Sequence, residues 1–149
     1  EVIIRNLSAG SFAKRYGVEE GIVFDAPTIE FSYKNDELGD PLLNSYHALA
    51  LKLATAEEIE TIKNYAFAVN EVLKAFWAEC GVTLVDFKLE FGKVADGSIV
   101  LADEISPDTC RLWDATTNEK LDKDRFRRDL GKVREAYEEI LARLKKIVE

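Results

Sequence analysis

The chain has 149 residues, 28 acidic against 20 basic, a formal charge of −8, and 47% hydrophobic residues. That is one domain's length, enough to bury a core. The acidic balance excludes a nucleic-acid binder held by net charge, but not a small phosphate ligand, which needs only two or three local cations.

Val2-Ile3-Ile4 ending in Arg5 reads as a strand over residues 1–6. Ser8-Ala9-Gly10-Ser11 is a turn of small residues, and Phe12 to Tyr16 is a helical turn stopped by Gly17. Pro27 opens a second strand, Thr28 to Lys34, in which Ile29, Phe31 and Tyr33 alternate with Thr28, Glu30 and Ser32. Asn35 to Pro41 is a polar turn. A long helix is predicted over Thr55 to Cys80, opened by the capping pair Thr55 and Glu58 and closed by Gly81. Its inward stripe is Ile59, Ile62, Ala66, Val69, Leu73 and Phe76. Thr83 to Phe91 is a strand with Leu84, Asp86, Lys88 and Glu90 on one face and Val85, Phe87, Leu89 and Phe91 on the other. Asp96-Gly97 marks a hairpin turn, with Ser98 to Ala102 as the return strand. Asp103 to Asn118 reads as a polar loop, Asp124 to Leu130 as a short helical segment, and Val133 to Val148 as a closing amphipathic helix.

A two-residue turn at Asp96-Gly97 sets Glu90 opposite Asp103. Carboxylates in that relation repel unless a cation lies between them. Mg²⁺ suits such a pair and completes its shell with water and phosphate oxygens. Lys88 shares the face of Glu90, as a metal–nucleotide site would use. The spacing also allows two solvated acids, with a bulge at Gly92 shifting the register by one. Arg5, Ser11 and Arg111 form a second group suited to a phosphate or carboxylate, since arginine makes forked bonds to both; the arginines could equally pair with acids of the chain. Lys14 and Arg15 read as a solvated face, and Trp113 as the anchor of its loop.

A lone histidine, His47, excludes a two-histidine metal site and reads as a packing or capping residue. Cys80 and Cys110 lack a redox or zinc spacing and read as small buried residues in a reduced, cytoplasmic protein. No apolar run approaches the ~20 residues of a membrane span, and the opening EVIIRNLSAG has no signal-peptide pattern. A first residue of Glu rather than Met reads as an excised piece.

Four strings occur in order: Arg5-Asn6-Leu7-Ser8-Ala9-Gly10-Ser11, Asp86 to Gly92, Asp103 to Asp108 with Arg111-Leu112-Trp113-Asp114, and Asp122 to Arg127. Together they resemble the SAICAR synthetase family, over essentially the whole chain. The resemblance implies an ATP-dependent ligase of purine biosynthesis that joins carboxyaminoimidazole ribotide to L-aspartate through an acyl phosphate. It implies Mg²⁺ on Glu90 and Asp103, and Lys88 beside the reacting phosphate. Arg5, Ser11 and Arg111 would lie on the ribotide phosphate, Asp40 near the aminoimidazole, and Lys123 as a further substrate contact. The expected fold is α+β: residues 1–149 as one carboxy-terminal lobe, a mostly antiparallel sheet with helices on its far face. The family's amino-terminal lobe, which covers the ATP phosphates, is expected to be missing. The isolated chain is therefore expected to bind ribotide or Mg²⁺–nucleotide weakly and to turn over little. Small-molecule substrates and a homo-oligomer are expected, without nucleic-acid or membrane partners.

Overall fold

The computed structural model describes residues 1–149. In order they form β1 (Val2–Leu7), α1 (Gly10–Tyr16), β2 (Val23–Ser32), a 3-10 turn (Asp36–Leu38), β3 (Leu42–Leu43) and α2 (Ser45–Ala50). Then come α3 (Ala56–Glu79), β4 (Val82–Lys93), β5 (Ile99–Ala102), β6 (Cys110–Asp114), α4 (Asp124–Arg127) and α5 (Val133–Val148). The six strands make one sheet in the order β3-β2-β1-β4-β5, with β6 also paired to β4. Every pairing is antiparallel, so the architecture is α+β. No helix is long and apolar enough to cross a membrane.

Alternation decides which face is buried. Val2 and Ile4 of β1, Phe87 and Leu89 of β4, and Cys110 and Leu112 of β6 point one way. They meet Ala66 and Trp77 of α3 and Ala136 and Ile140 of α5. Helix α3 starts where expected, with the Glu58 N–H donating to Thr55 Oγ1 (3.2 Å). It ends at Cys80, before Gly81 turns left-handed (φ 68°). Its stripe also includes Asn70, fully buried, which exchanges amide hydrogen bonds with Asn6 (2.9 and 3.0 Å). His47 is a capping residue: Asn44 and His47 form a reciprocal box that starts α2, an element the sequence reading passed over.

Four local expectations are corrected. Residues 110–114, read as loop, form β6, because Cys110 and Leu112 point into the core while Trp113 packs with Ala9 and Val85 on the other face. Strand β2 begins at Val23, and Pro27 is accommodated where the β1–β2 register shifts between Arg5 and Leu7. Leu84 belongs to the core face rather than with Asp86, because β4 carries an extra residue against β6: Leu84 faces Leu112 and Asp86 faces Arg111, which leaves Val85 bulged.

The hairpin is the fourth correction. Glu90 faces Ala102, not Asp103, and Lys93 faces Ile99. The connection is longer than two residues: the Val94 N–H closes it onto the Ser98 carbonyl (3.0 Å), with Gly97 at φ 89°. The added loop residue slips the register by one, which alone would turn Asp103 to the opposite face. Asp103 instead ends the strand in a left-handed conformation (φ 64°), which Asp tolerates.

Candidate functional site

The bulge at Val85 brings Asp86 onto the polar face of β4, where Arg5 of β1 and Arg111 of β6 stand opposite it across the two ladders. Arg5 Nη1 donates to Asp86 Oδ2 (2.7 Å), and Arg111 Nη1 donates to Oδ2 (3.0 Å) and Oδ1 (3.2 Å). Arg5 Nη2 also donates to Ser11 Oγ and Glu30 Oε2, both at 3.0 Å, which ties β1 to α1 and β2. Arg111 Nε donates to Asp124 Oδ2 (2.8 Å). Burial pushes the Asp86 carboxyl up from its ordinary range, and the Arg111 and Arg5 guanidiniums pull against it. Beneath these groups the buried Asp122 carboxylate accepts from the Leu112 and Asp124 N–H groups (2.7 Å each), fixing α4 to β6. Burial raises its pKa to about 6.

Two positions along β4 lies Lys88. Its ammonium donates to Glu90 Oε1 (2.8 Å) and Asp103 Oδ2 (2.7 Å), with Glu1 Oε1 at 3.9 Å. Lys34 reaches the other oxygen of Glu90 (2.9 Å). Partial burial works against the Lys88 charge, but its bonds to Asp103 and Glu90 outweigh that and raise its pKa. The same bonds hold both carboxyls below their ordinary values. Glu90 and Asp103 thus converge on one positive charge, although they are not cross-strand partners. No three His, Cys, Asp or Glu side chains form a ready-made metal cage. The donor set fits Mg²⁺, which is held by one or two carboxylates and otherwise by water and substrate phosphates.

Arg5, Ser11, Lys88, Asp103, Arg111 and Lys123 all line one cleft of about 430 Å³ on this face of the sheet. Glu90 joins it through Lys88. Asp40 does not line it; its Oδ1 accepts from the Asn35 N–H (2.8 Å), and it shapes the loop after Lys34. Sequence reasoning missed Asp86, Asp124 and Arg127. Asp86 had a signal, since it shares its face with Lys88 and Glu90. Arg15, read as solvated, pairs with Glu30 (3.0 Å). The Arg111 bonds use Nε and Nη1, so Nη2 has no partner within the chain. Ser11 Oγ accepts from Arg5, which leaves its own proton to donate. The arrangement can therefore receive an anion at Arg111 and Ser11, next to a lysine flanked by two carboxylates.

Comparison with known proteins identifies the family. A family model described as SAICAR synthetase matches residues 1–144. A phosphoribosylaminoimidazole-succinocarboxamide synthase of Clostridium botulinum (strain Eklund 17B / Type B) is 64% identical over 146 residues, 98% of this chain and 62% of that protein. The crystal structure of the synthase from Ehrlichia chaffeensis superposes with a TM-score of 0.94 at 50% identity, covering 97% of this chain and 62% of that one. A SAICAR synthetase in complex with ADP superposes at 0.92 with 55% identity, covering 96% and 61%. The chain spans about three-fifths of the length of these relatives. With a fold and a sequence shared along nearly its whole length, the chain belongs to the SAICAR synthetase family.

Proposed function

We propose that residues 1–149 form the substrate- and Mg²⁺–ATP-binding carboxy-terminal lobe of a ligase that joins carboxyaminoimidazole ribotide to L-aspartate, with ATP going to ADP and phosphate. The observation that carries the reading is the single cleft in which Arg5, Ser11, Arg111, Lys88 and Asp103 meet. Arg111 and Ser11 hold the ribotide phosphate, with Arg5 behind them, and Lys123 adds a cation at the same cleft. This places the ribotide carboxylate toward Lys88. The γ-phosphoryl group passes to that carboxylate as its bond to ADP breaks, and the Lys88 ammonium offsets the charge that builds on the oxygens. The aspartate amine then attacks the acyl carbon, loses a proton and displaces inorganic phosphate, leaving the amide. Glu90 and Asp103 would hold Mg²⁺, which supplies neutralising charge to the nucleotide phosphates. Asp40 lies outside the cleft lining, so its part at the aminoimidazole rests on the family resemblance alone; Lys34, just before its loop, reaches Glu90. The reading includes association with further copies of the chain in the cytoplasm, a reduced setting compatible with the free, buried Cys80 and Cys110.

Isothermal titration with the ribotide and with Mg²⁺–ADP, beside a coupled assay for ADP release that requires both ribotide and aspartate, tests the proposal. The expected result is ribotide binding that Arg111→Ala removes, with little ADP released by this chain alone. Absence of ribotide binding, or binding indifferent to Arg111, overturns it. Binding of both ligands with no ADP release at all identifies a module that binds without catalysing.

A further inference from the structure

Arg111 is clamped on three sides. Asp124 takes Nε and Asp86 takes Nη1. The third side is the main chain of Gly10, at the start of α1. A Cβ built there would fall 2.2 Å from Arg111 Nη2 and 2.5 Å from Cζ. Gly10 is itself held in place, since its N–H donates to Glu20 Oε1 (3.0 Å), and Glu20 pairs with Arg128 (3.0 Å). A guanidinium at the end of a flexible side chain could normally swing away from an added methyl. Here it could do so only by leaving Asp86 and Asp124, both buried.

We propose that Gly10 is a positioning residue of the anion site: the missing side chain is the seat against which the Arg111 guanidinium lies, at the edge of the cleft that Arg111 lines. The inference rests on the reading that Arg111 receives a phosphate. Its consequence is that a methyl at position 10 acts on anion binding through Arg111 and not otherwise.

The test is a double-mutant cycle with inorganic phosphate as the probe, titrated into wild type, Gly10→Ala, Arg111→Ala and the double variant, with thermal melts of each. Gly10→Ala is expected to weaken phosphate binding at least about ten-fold, as losing a charge-assisted contact does. It should cost nothing further once Arg111 is alanine. Because φ at Gly10 is 51°, alanine also meets backbone strain. Gly10→Asn, whose residue type tolerates that conformation, presents the same Cβ with less strain. Wild-type phosphate binding that Arg111→Ala removes but both Gly10 variants keep overturns this inference alone. Equal losses from Gly10→Ala with and without Arg111 overturn it as well. If Gly10→Ala unfolds the chain and the added Arg111→Ala fails to restore folding, the collision is not the reason for glycine. Wild type that does not bind phosphate overturns the anion-site reading, and this inference with it.

Discussion

Asp86→Ala removes the carboxylate shared by two arginines. Arg5 loses its 2.7 Å bond and Arg111 its 3.0 Å bond. The side chains of Arg5 and Asp86 are 2% and 4% exposed, so water replaces little of what is lost. Arg5 keeps Glu30 and Ser11, and Arg111 keeps Asp124, so neither guanidinium is abandoned. Two charge-assisted contacts, one to each arginine, at about 1.5–3 kcal/mol each sum to about 3–6 kcal/mol, and the about 3–5 kcal/mol typical of breaking a buried pair is the expected loss. For a domain of this size that is a fall in Tm of roughly 6–20 °C. The control is Arg134–Glu138, also 2.7 Å apart but with side chains 88% and 59% exposed. Glu138→Gln should cost about 0–1 kcal/mol. Equal separation with unequal burial isolates the effect of burial. Urea denaturation of both variants at pH 7, with thermal melts, reads the difference. The reasoning is refuted if the two substitutions cost the same.

Mg²⁺ should raise the Tm of the wild-type chain, and Glu90→Gln with Asp103→Asn should abolish that increment; a rise that survives in the double variant removes the metal assignment. Burial pushes the Asp122 carboxyl up to about 6, above the about 3.9 of an unperturbed aspartate. A raised carboxyl pKa adds stability below about pH 4 that is lost as pH climbs through 6, on the order of 3 kcal/mol. Urea midpoints from pH 4 to 7 should lose this slope in Asp122→Asn, and an unchanged slope contradicts the burial argument. Asn70→Ala leaves Asn6 without its reciprocal partner in the core, at an expected cost of about 1–3 kcal/mol in the same assay. A neutral result there would mean that water or repacking satisfies Asn6.

Legibility followed the range of the interactions. The α3 stripe and its Thr55 cap are local, and the sequence reading placed both within a residue of the helix ends. The bulge at Val85 is not local. It exists only relative to β6, and β6 itself read as loop because its five residues lie between Pro107 and the turn that follows Asp114. For the site, Arg5, Ser11, Lys88, Asp103, Arg111 and Lys123 line the cleft as a group, whereas Asp40 does not, and what holds the arginines was not found: Asp86 and Asp124 meet Arg5 and Arg111 from other elements. The convergence of Glu90 and Asp103 was expected from a pairing that does not exist. It arises because Lys88 is long enough to bridge a residue on its own strand and one just past the end of β5.

Yet β4 held a stronger clue than the hairpin. Asp86, Lys88 and Glu90 take alternate positions on a strand whose other face is core, so all three must lie on one covered or half-covered surface. A buried carboxylate in that position needs cations from the strands on either side. Arg5 in β1 and Arg111 in Cys110-Arg111-Leu112 are the residues able to supply them. Charge compensation across neighbouring strands would have paired β1, β4 and β6 from the sequence, and with them the floor of the cleft.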